Sequence, residues 1–127
     1  MDKWIEVKHI MTTDLITADP DETIDAVRHK LIANHIQHIP VVEGKKILGI
    51  ISKGDIHRME HHFTLFQSEK ALESNRQIFS TILAAEIMTK FLVKLKDTDS
   101  ATIAVDLFRE NMFHALPVVN DKDQLVG

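Results

Sequence analysis

The chain has 127 residues, 44% hydrophobic and 27% charged, with a formal charge of −4 from 15 Lys and Arg against 19 Asp and Glu. These proportions suit one ordinary folded domain and exclude disordered, collagenous or low-complexity sequence; without a block of like charges there is no footprint for nucleic acid or an anionic membrane. The lack of any cysteine removes disulfides, thiolate zinc sites, iron–sulfur clusters and thiol nucleophiles, and fits a reducing, cytoplasmic setting.

In chain order, the charged opening MDKWIEVK has no apolar stretch behind it, so it does not read as a signal peptide. No apolar run approaches the ~20 residues that span a bilayer. A short strand is predicted near Leu15–Thr17. Asp19 is placed to cap the next helix, with Pro20 in its first turn and Glu22 closing a capping box. Ile24, Val27 and Leu31 then recur at helical spacing as one buried stripe. Ile36–Val42 reads as a strand in which Pro40, lacking an N–H, marks an edge or bulge. Glu43–Lys46 supplies a turn and Ile47–Ile51 a returning strand.

Ser52-Lys53-Gly54-Asp55 follows, and two uses of it stay open. Ser52 with Asp55 three residues on is a helix-start cap. The same junction, a strand running into a helix N-terminus, offers backbone N–H groups and a positive dipole end to a phosphate. Ser52 adds a hydroxyl, Lys53 a charge, Gly54 room for close approach, and Asp55 an acceptor for ribose hydroxyls.

From Ile56 to Glu86 the apolar spacing (Ile56, Met59, Phe63, Phe66; then Ile78 and Ile82) predicts helix in two pieces interrupted around Ser74-Asn75. With no Gly or Pro, this is a structured connector rather than a tether. His57, His61 and His62 lie on it. The His57/His61 pair has the spacing of two metal ligands, but without an HExxH pattern it reads as a solvated helix face.

The later part of the chain repeats the earlier. Ile10 to Val42 aligns without a gap on Ile87 to Val119, an offset of 77 residues. Ala101, Ala104 and Phe108 then stand for Ile24, Val27 and Leu31. Each copy reads β-α-β-β. The second stops at Gln124–Gly127, with Gly127 matching Gly49 after a turn one residue longer, so it is expected to be a truncated copy or a fragment. No G-x-S-x-G, P-loop or G-x-G-x-x-G occurs, and the acid pairs Asp19/Asp21 and Asp97/Asp99 fall at helix starts. No catalytic residue is assigned.

Ile10-Met11-Thr12, Ile39-Pro40-Val41-Val42 and Gly49-Ile50-Ile51-Ser52-Lys53-Gly54-Asp55, in this order and with duplication, resemble the CBS domain. This small unit occurs in tandem as a Bateman module. The resemblance implies an α/β (α+β) fold of two β-α-β-β-α repeats related by pseudo-two-fold symmetry. The expected divisions are 1–60 for the N-terminal extension and first repeat, 61–84 for a helical linker, and 85–127 for the incomplete second repeat. It further implies a regulatory ligand-binding module without catalysis that senses AMP, ADP, ATP or S-adenosylmethionine in the cleft between repeats. The implied first-repeat ligand residues are Lys8, Thr13, Gln37, His38, Ile39, Pro40, Ser52, Lys53 and Asp55, with the Ser position on phosphate and the Asp position on ribose. A weaker second set is Ala85, Lys90, His114, Ala115, Leu116 and Pro117. No cofactor or metal is required. The expected partner is a second copy of the chain, a homodimer through the repeats; the competing reading is a ligand-free dimerisation or interaction module.

Overall fold

The computed structural model describes residues 5–63, 77–110 and 113–127. A 3-10 turn (Val7–His9) is followed by α1 (Ile24–Ala33), β1 (His38–Glu43), β2 (Lys46–Ser52) and α2 (Lys53–Phe63). Next come α3 (Ala84–Ile87), β3 (Leu95–Lys96), α4 (Ala101–Arg109) and β4 (Val118–Val119). Strands β1 and β2 form one two-stranded sheet, joined through Gly44 at a φ of +63°. Strands β3 and β4 form the other, parallel, with Leu95 opposite Val118 and Lys96 opposite Val119. The predicted break around Ser74-Asn75 lies outside the described residues, as do Phe66 and the side chain of Phe63.

Two compact units result, and neither is continuous in sequence. The central unit comprises Ile16–Glu43 and Leu48–Lys90; the terminal unit comprises Met1–Leu15, Gly44–Ile47 and Phe91–Gly127. The central core gathers Ala18, Ile24, Val27, Leu31, Ile39, Val41, Ile51, Ile56, Phe79 and Ala84. The terminal core gathers Val7, Leu95, Ala104 and Val118.

Hydrogen bonds explain the interleaving. Ahead of the second repeat, the Ala84 and Ala85 N–H groups donate to the Glu22 and Pro20 carbonyls at 2.8 and 3.0 Å, and Ile24 donates to Ile82 at 2.9 Å. Within the terminal unit the same bonds recur 77 residues away, with Val7 and Lys8 donating to Asp99 and Asp97 at 2.8 and 3.0 Å and Ala101 donating to Ile5 at 2.8 Å. The segment leading into each repeat therefore docks on the helix start of the other. Val7 and Ala84, equivalent by offset, are the buried anchors of these docked segments.

That docking moves the start of α1. The helix is capped by Thr23, whose Oγ1 accepts the Ala26 N–H at 3.2 Å, and not by Asp19. Residues 19–22 form a turn closed by Glu22 N–H on the Asp19 carbonyl at 3.1 Å, and the Pro20 and Glu22 carbonyls are committed to residues 85 and 84. Glu22 bonds Lys30 at 2.6 Å instead of closing a capping box. Thr23→Ala is expected to destabilise the chain by about 1 kcal/mol, the usual loss on deleting a cap, read from urea unfolding.

The strand expected near Leu15–Thr17 is reduced to one parallel bridge between Ala18 and Val41. In the second repeat the Asp97 N–H extends the ladder to Val119 at 2.9 Å. Its counterpart in the first repeat is Pro20, which has no hydrogen to donate. Pro40 turns its carbonyl to the Ala18 N–H at 2.9 Å, so its missing donor faces the side on which pairing stops. The buried stripe of Ile24, Val27 and Leu31 holds, since all three are at most 1% exposed. Its expected copy holds only for Ala101 and Ala104, because Phe108 is 43% exposed. Helix α1 is covered by α2, whereas the described residues hold no helix beyond β4.

Candidate functional site

The central unit carries the polar strand-to-helix junction at Ser52–Asp55. Strand β2 ends at Ser52 and α2 begins at Lys53 with no intervening loop. The Ser52 N–H donates to Asp55 Oδ2 at 3.1 Å, and the Asp55 N–H donates to Ser52 Oγ at 3.0 Å. This is the reciprocal capping box read from the sequence. Ile56, 2% exposed, anchors the turn from below. The Lys53 N–H donates to the Gln37 carbonyl at 2.8 Å, which brings the residues ahead of β1 against the start of α2. Asp55 Oδ1 accepts from Arg58 Nη2.

These bonds revise the expected chemistry. The N–H groups of Ser52, Lys53 and Asp55 are all engaged within the chain, so they are not free for an anion. What these bonds leave for an anion is the Gly54 N–H together with the Ser52 hydroxyl, the Lys53 ammonium and the Arg58 guanidinium. Arg58 was not singled out from the sequence; its spacing of three residues from Asp55, which puts the two on one helical face, was the available signal.

The remaining predicted residues divide by unit. Gln37 is exposed and His38 and Pro40 are half-buried. Ile39 is 0% exposed and part of the core, so its side chain is unavailable to a ligand. Strand alternation turns Ile39 and Val41 to the core and His38 and Pro40 away from it. Lys90, assigned from the sequence to the second-repeat set, falls in the central unit with Ser52. Its neighbour Thr89 exchanges backbone bonds with Ile50 at 2.9 and 3.1 Å, two residues before Ser52. Ala85 is likewise central and half-buried, its N–H held by Pro20.

Conversely, Lys8 and Thr13, assigned to the first-repeat set, lie in the terminal unit with His114–Pro117. Both are exposed, and Lys8 pairs with Glu6 at 3.0 Å. That hydrogen bond, reinforced by the Glu6 charge, holds the Lys8 ammonium above its ordinary pKa. His114 is exposed, Leu116 packs against the terminal core, and Pro117 is buried with its carbonyl on the Leu95 N–H at 2.9 Å.

A groove of about 120 Å³ between α1 and α2 is lined by Arg28, Leu31, Ile32, Lys53, Ile56, His57 and Glu60. It is well below the roughly 300 Å³ at which small-molecule pockets begin, and Lys53 is the only predicted ligand residue that reaches it. His57 and His61 are exposed, and His62's side chain lies outside the description. Among the described residues no group of three or more His, Asp or Glu is placed to hold a metal. No helix among them is long and apolar enough to cross a membrane.

Comparison with known proteins gives a consistent picture. Residues 7–62 and 84–127 match the family described as CBS domain. A homoserine O-acetyltransferase of Methanocorpusculum labreanum is 29% identical over 122 residues, which are 95% of this chain and 22% of that protein. The chain thus spans about a fifth of the length of that enzyme. Among solved structures, CBSX2 in complex with AMP superposes with a TM-score of 0.77 at 21% identity, covering 96% of this chain and 87% of that one. The CBS domain pair of protein MJ0100, in complex with 5′-methylthioadenosine and S-adenosyl-L-methionine, gives 0.72 at 27% identity, covering 97% and 90%.

Proposed function

Because this chain belongs to the CBS domain family, with both sequence repeats matched, we propose that it is a regulatory module that binds an adenosine-containing ligand at the Ser52–Asp55 junction. The observation that carries this is the strand-to-helix junction itself. It presents a half-buried carboxylate, a hydroxyl and two cations beside Gln37 and His38. That CBSX2 takes AMP and the MJ0100 pair takes S-adenosylmethionine and methylthioadenosine supports the ligand class.

In this reading Asp55 accepts bonds from the ribose hydroxyls, while Ser52 Oγ and the Lys53 ammonium meet the phosphate side. Gln37, His38 and Pro40 border the ligand, Ile39 contributes only backbone, and Lys90 is the nearest of the outlying candidates by chain connection. Lys8 and Thr13 join His114, Ala115, Leu116 and Pro117 in a second, poorer set, which has no counterpart of Ser52–Asp55 among the described residues. Regulation follows from differential affinity: the ligand favours whichever arrangement of the chain binds it better.

Calorimetric titration with AMP, ATP and S-adenosylmethionine tests the site through Asp55→Asn. This variant keeps an oxygen for the Ser52 N–H and so keeps the cap, but it loses the charge that ribose hydroxyls bond. Affinity is expected to fall by about 1.5–3 kcal/mol, the scale of a hydrogen bond to a charged group. Equal affinity in wild type and variant removes Asp55 from the site.

A ligand-free interaction module is the second reading, favoured by the exposed apolar side chains Ile10, Ile32, Phe91, Val93, Ile103 and Phe108. Native mass spectrometry separates the two. Retained nucleotide supports the first, and a concentration-dependent homodimer that no adenosyl compound stabilises supports the second.

A further inference from the structure

The groups around Asp55 bear on which adenosyl compound fits. With the Ser52, Lys53 and Asp55 N–H groups bonded inside the chain, an anion at this junction meets one backbone donor of the first turn, Gly54, and draws its charge partners from side-chain cations. Lys53 is exposed, and its ammonium has no acidic partner among the described residues. Arg58 is 72% exposed and is paired with Asp55. Its Nη1 also lies beside the bare Cα of Gly54, 3.5 Å from where a Cβ would stand, with Ser52 Oγ 3.7 Å from the same point. Gly54 thus leaves a gap flanked by a guanidinium and a hydroxyl, next to the carboxylate proposed for ribose.

We propose that Arg58 is an exchangeable counter-ion that makes this site select a 5′-phosphorylated adenosine over an uncharged or cationic adenosyl compound. The inference rests on the ribose-and-phosphate reading of Ser52–Asp55. Without ligand, Arg58 neutralises Asp55. When ribose hydroxyls donate to Asp55, the guanidinium turns to the phosphate over Gly54. An exposed ion pair is weakly held and screened by solvent, so it yields readily. A guanidinium–phosphate pair is charge-assisted and forked, with two parallel hydrogen bonds. S-adenosylmethionine carries a sulfonium where a nucleotide carries phosphate, and it meets Lys53 and Arg58 as like charges.

Calorimetry of the full chain with AMP, adenosine and S-adenosylmethionine, comparing wild type, Arg58→Gln and Arg58→Lys, tests this. Wild type is expected to bind AMP more tightly than the other two. In Arg58→Gln the AMP-to-adenosine affinity ratio should fall about tenfold, with adenosine affinity unchanged or raised because Asp55 is released. Arg58→Lys should recover most of the ratio. An unchanged ratio in Arg58→Gln, with binding intact, overturns the proposal and leaves Arg58 a helix-surface ion pair. A wild-type preference for S-adenosylmethionine overturns it as well. If wild type binds none of the three, the assignment of the site itself falls, and the role of Arg58 with it.

Discussion

Phe79→Ala is expected to cost the fold about 4 kcal/mol, the middle of the range for emptying a fully buried aromatic site. Phe79 is 2% exposed and, among the described residues, the largest of the completely buried side chains. It packs in one core with Ile24, Val27, Leu31, Ile51, Ile56 and Ala84. Apart from Ala84, these neighbours come from both sheet and helix of the first repeat, so they cannot all close on an alanine. Folded domains are stable by only about 5–15 kcal/mol, so the variant should unfold at a much lower denaturant concentration. Guanidinium unfolding measures it. A loss under about 1 kcal/mol would mean that the cavity collapses or that the connector packs loosely.

Gly49→Ala is the second large effect, expected at about 3 kcal/mol. A Cβ at Gly49 would stand 2.7 Å from Met88 Cγ and Sδ and 2.8 Å from the Thr89 carbonyl oxygen. The methionine can turn aside, but Thr89 is held by its two backbone bonds to Ile50, so the chain itself must shift. Met88→Ala added to Gly49→Ala should therefore restore only part of the stability. Gly44→Ala is the control: its φ is +63° but nothing lies within 4 Å, so only the left-handed backbone is strained, by about 1–2 kcal/mol. If the two glycine variants lose equal stability in urea, the close approach at Gly49 is not what constrains it.

The glycine contacts explain residues that the sequence marked without giving a reason. Met11 and Met88 are the methionines of the repeated Ile-Met-Thr. Met88 covers Gly49, and Met11 covers Gly127 with its Cγ 2.7 Å from an added Cβ. The alignment of Gly127 with Gly49 is thus matched by a physical equivalence, since both packing faces need a residue without a side chain.

Local signals were legible because they act over a few residues. The Ser52/Asp55 cap, the Gly44 turn, the β1–β2 hairpin and the α1 stripe all depend on neighbours within one or two turns of chain. The start of α1 was misplaced for the opposite reason: Asp19, Pro20 and Glu22 form an excellent cap signal, but the Glu22 and Pro20 carbonyls are taken by residues 84 and 85. Motif position places Ile39 beside a ligand but says nothing of side-chain direction, and burial puts its side chain in the core. Arg58 was passed over because its significance lies in an ion pair with Asp55 and a gap above Gly54, which appear only when α2 is built.

Length and composition alone suit one ordinary domain, and the 77-residue offset turns that into a duplicated unit. The sequence by itself determined the family, the repeat, the β1–β2 hairpin, the α1 stripe and the polar junction at Ser52–Asp55, because the repeat is written in two copies and the rest in short-range spacing. Tertiary structure alone decided which segments share a core. Residues 5–8 and 82–85 each carry an anchor, Val7 or Ala84, and backbone donors that their own repeat does not satisfy. Burying such an anchor and pairing those donors is favourable wherever a matching edge exists. That edge is at the helix start of the other repeat, so the compact units exchange segments, and Lys90 is placed with Ser52 while Lys8 is placed with His114.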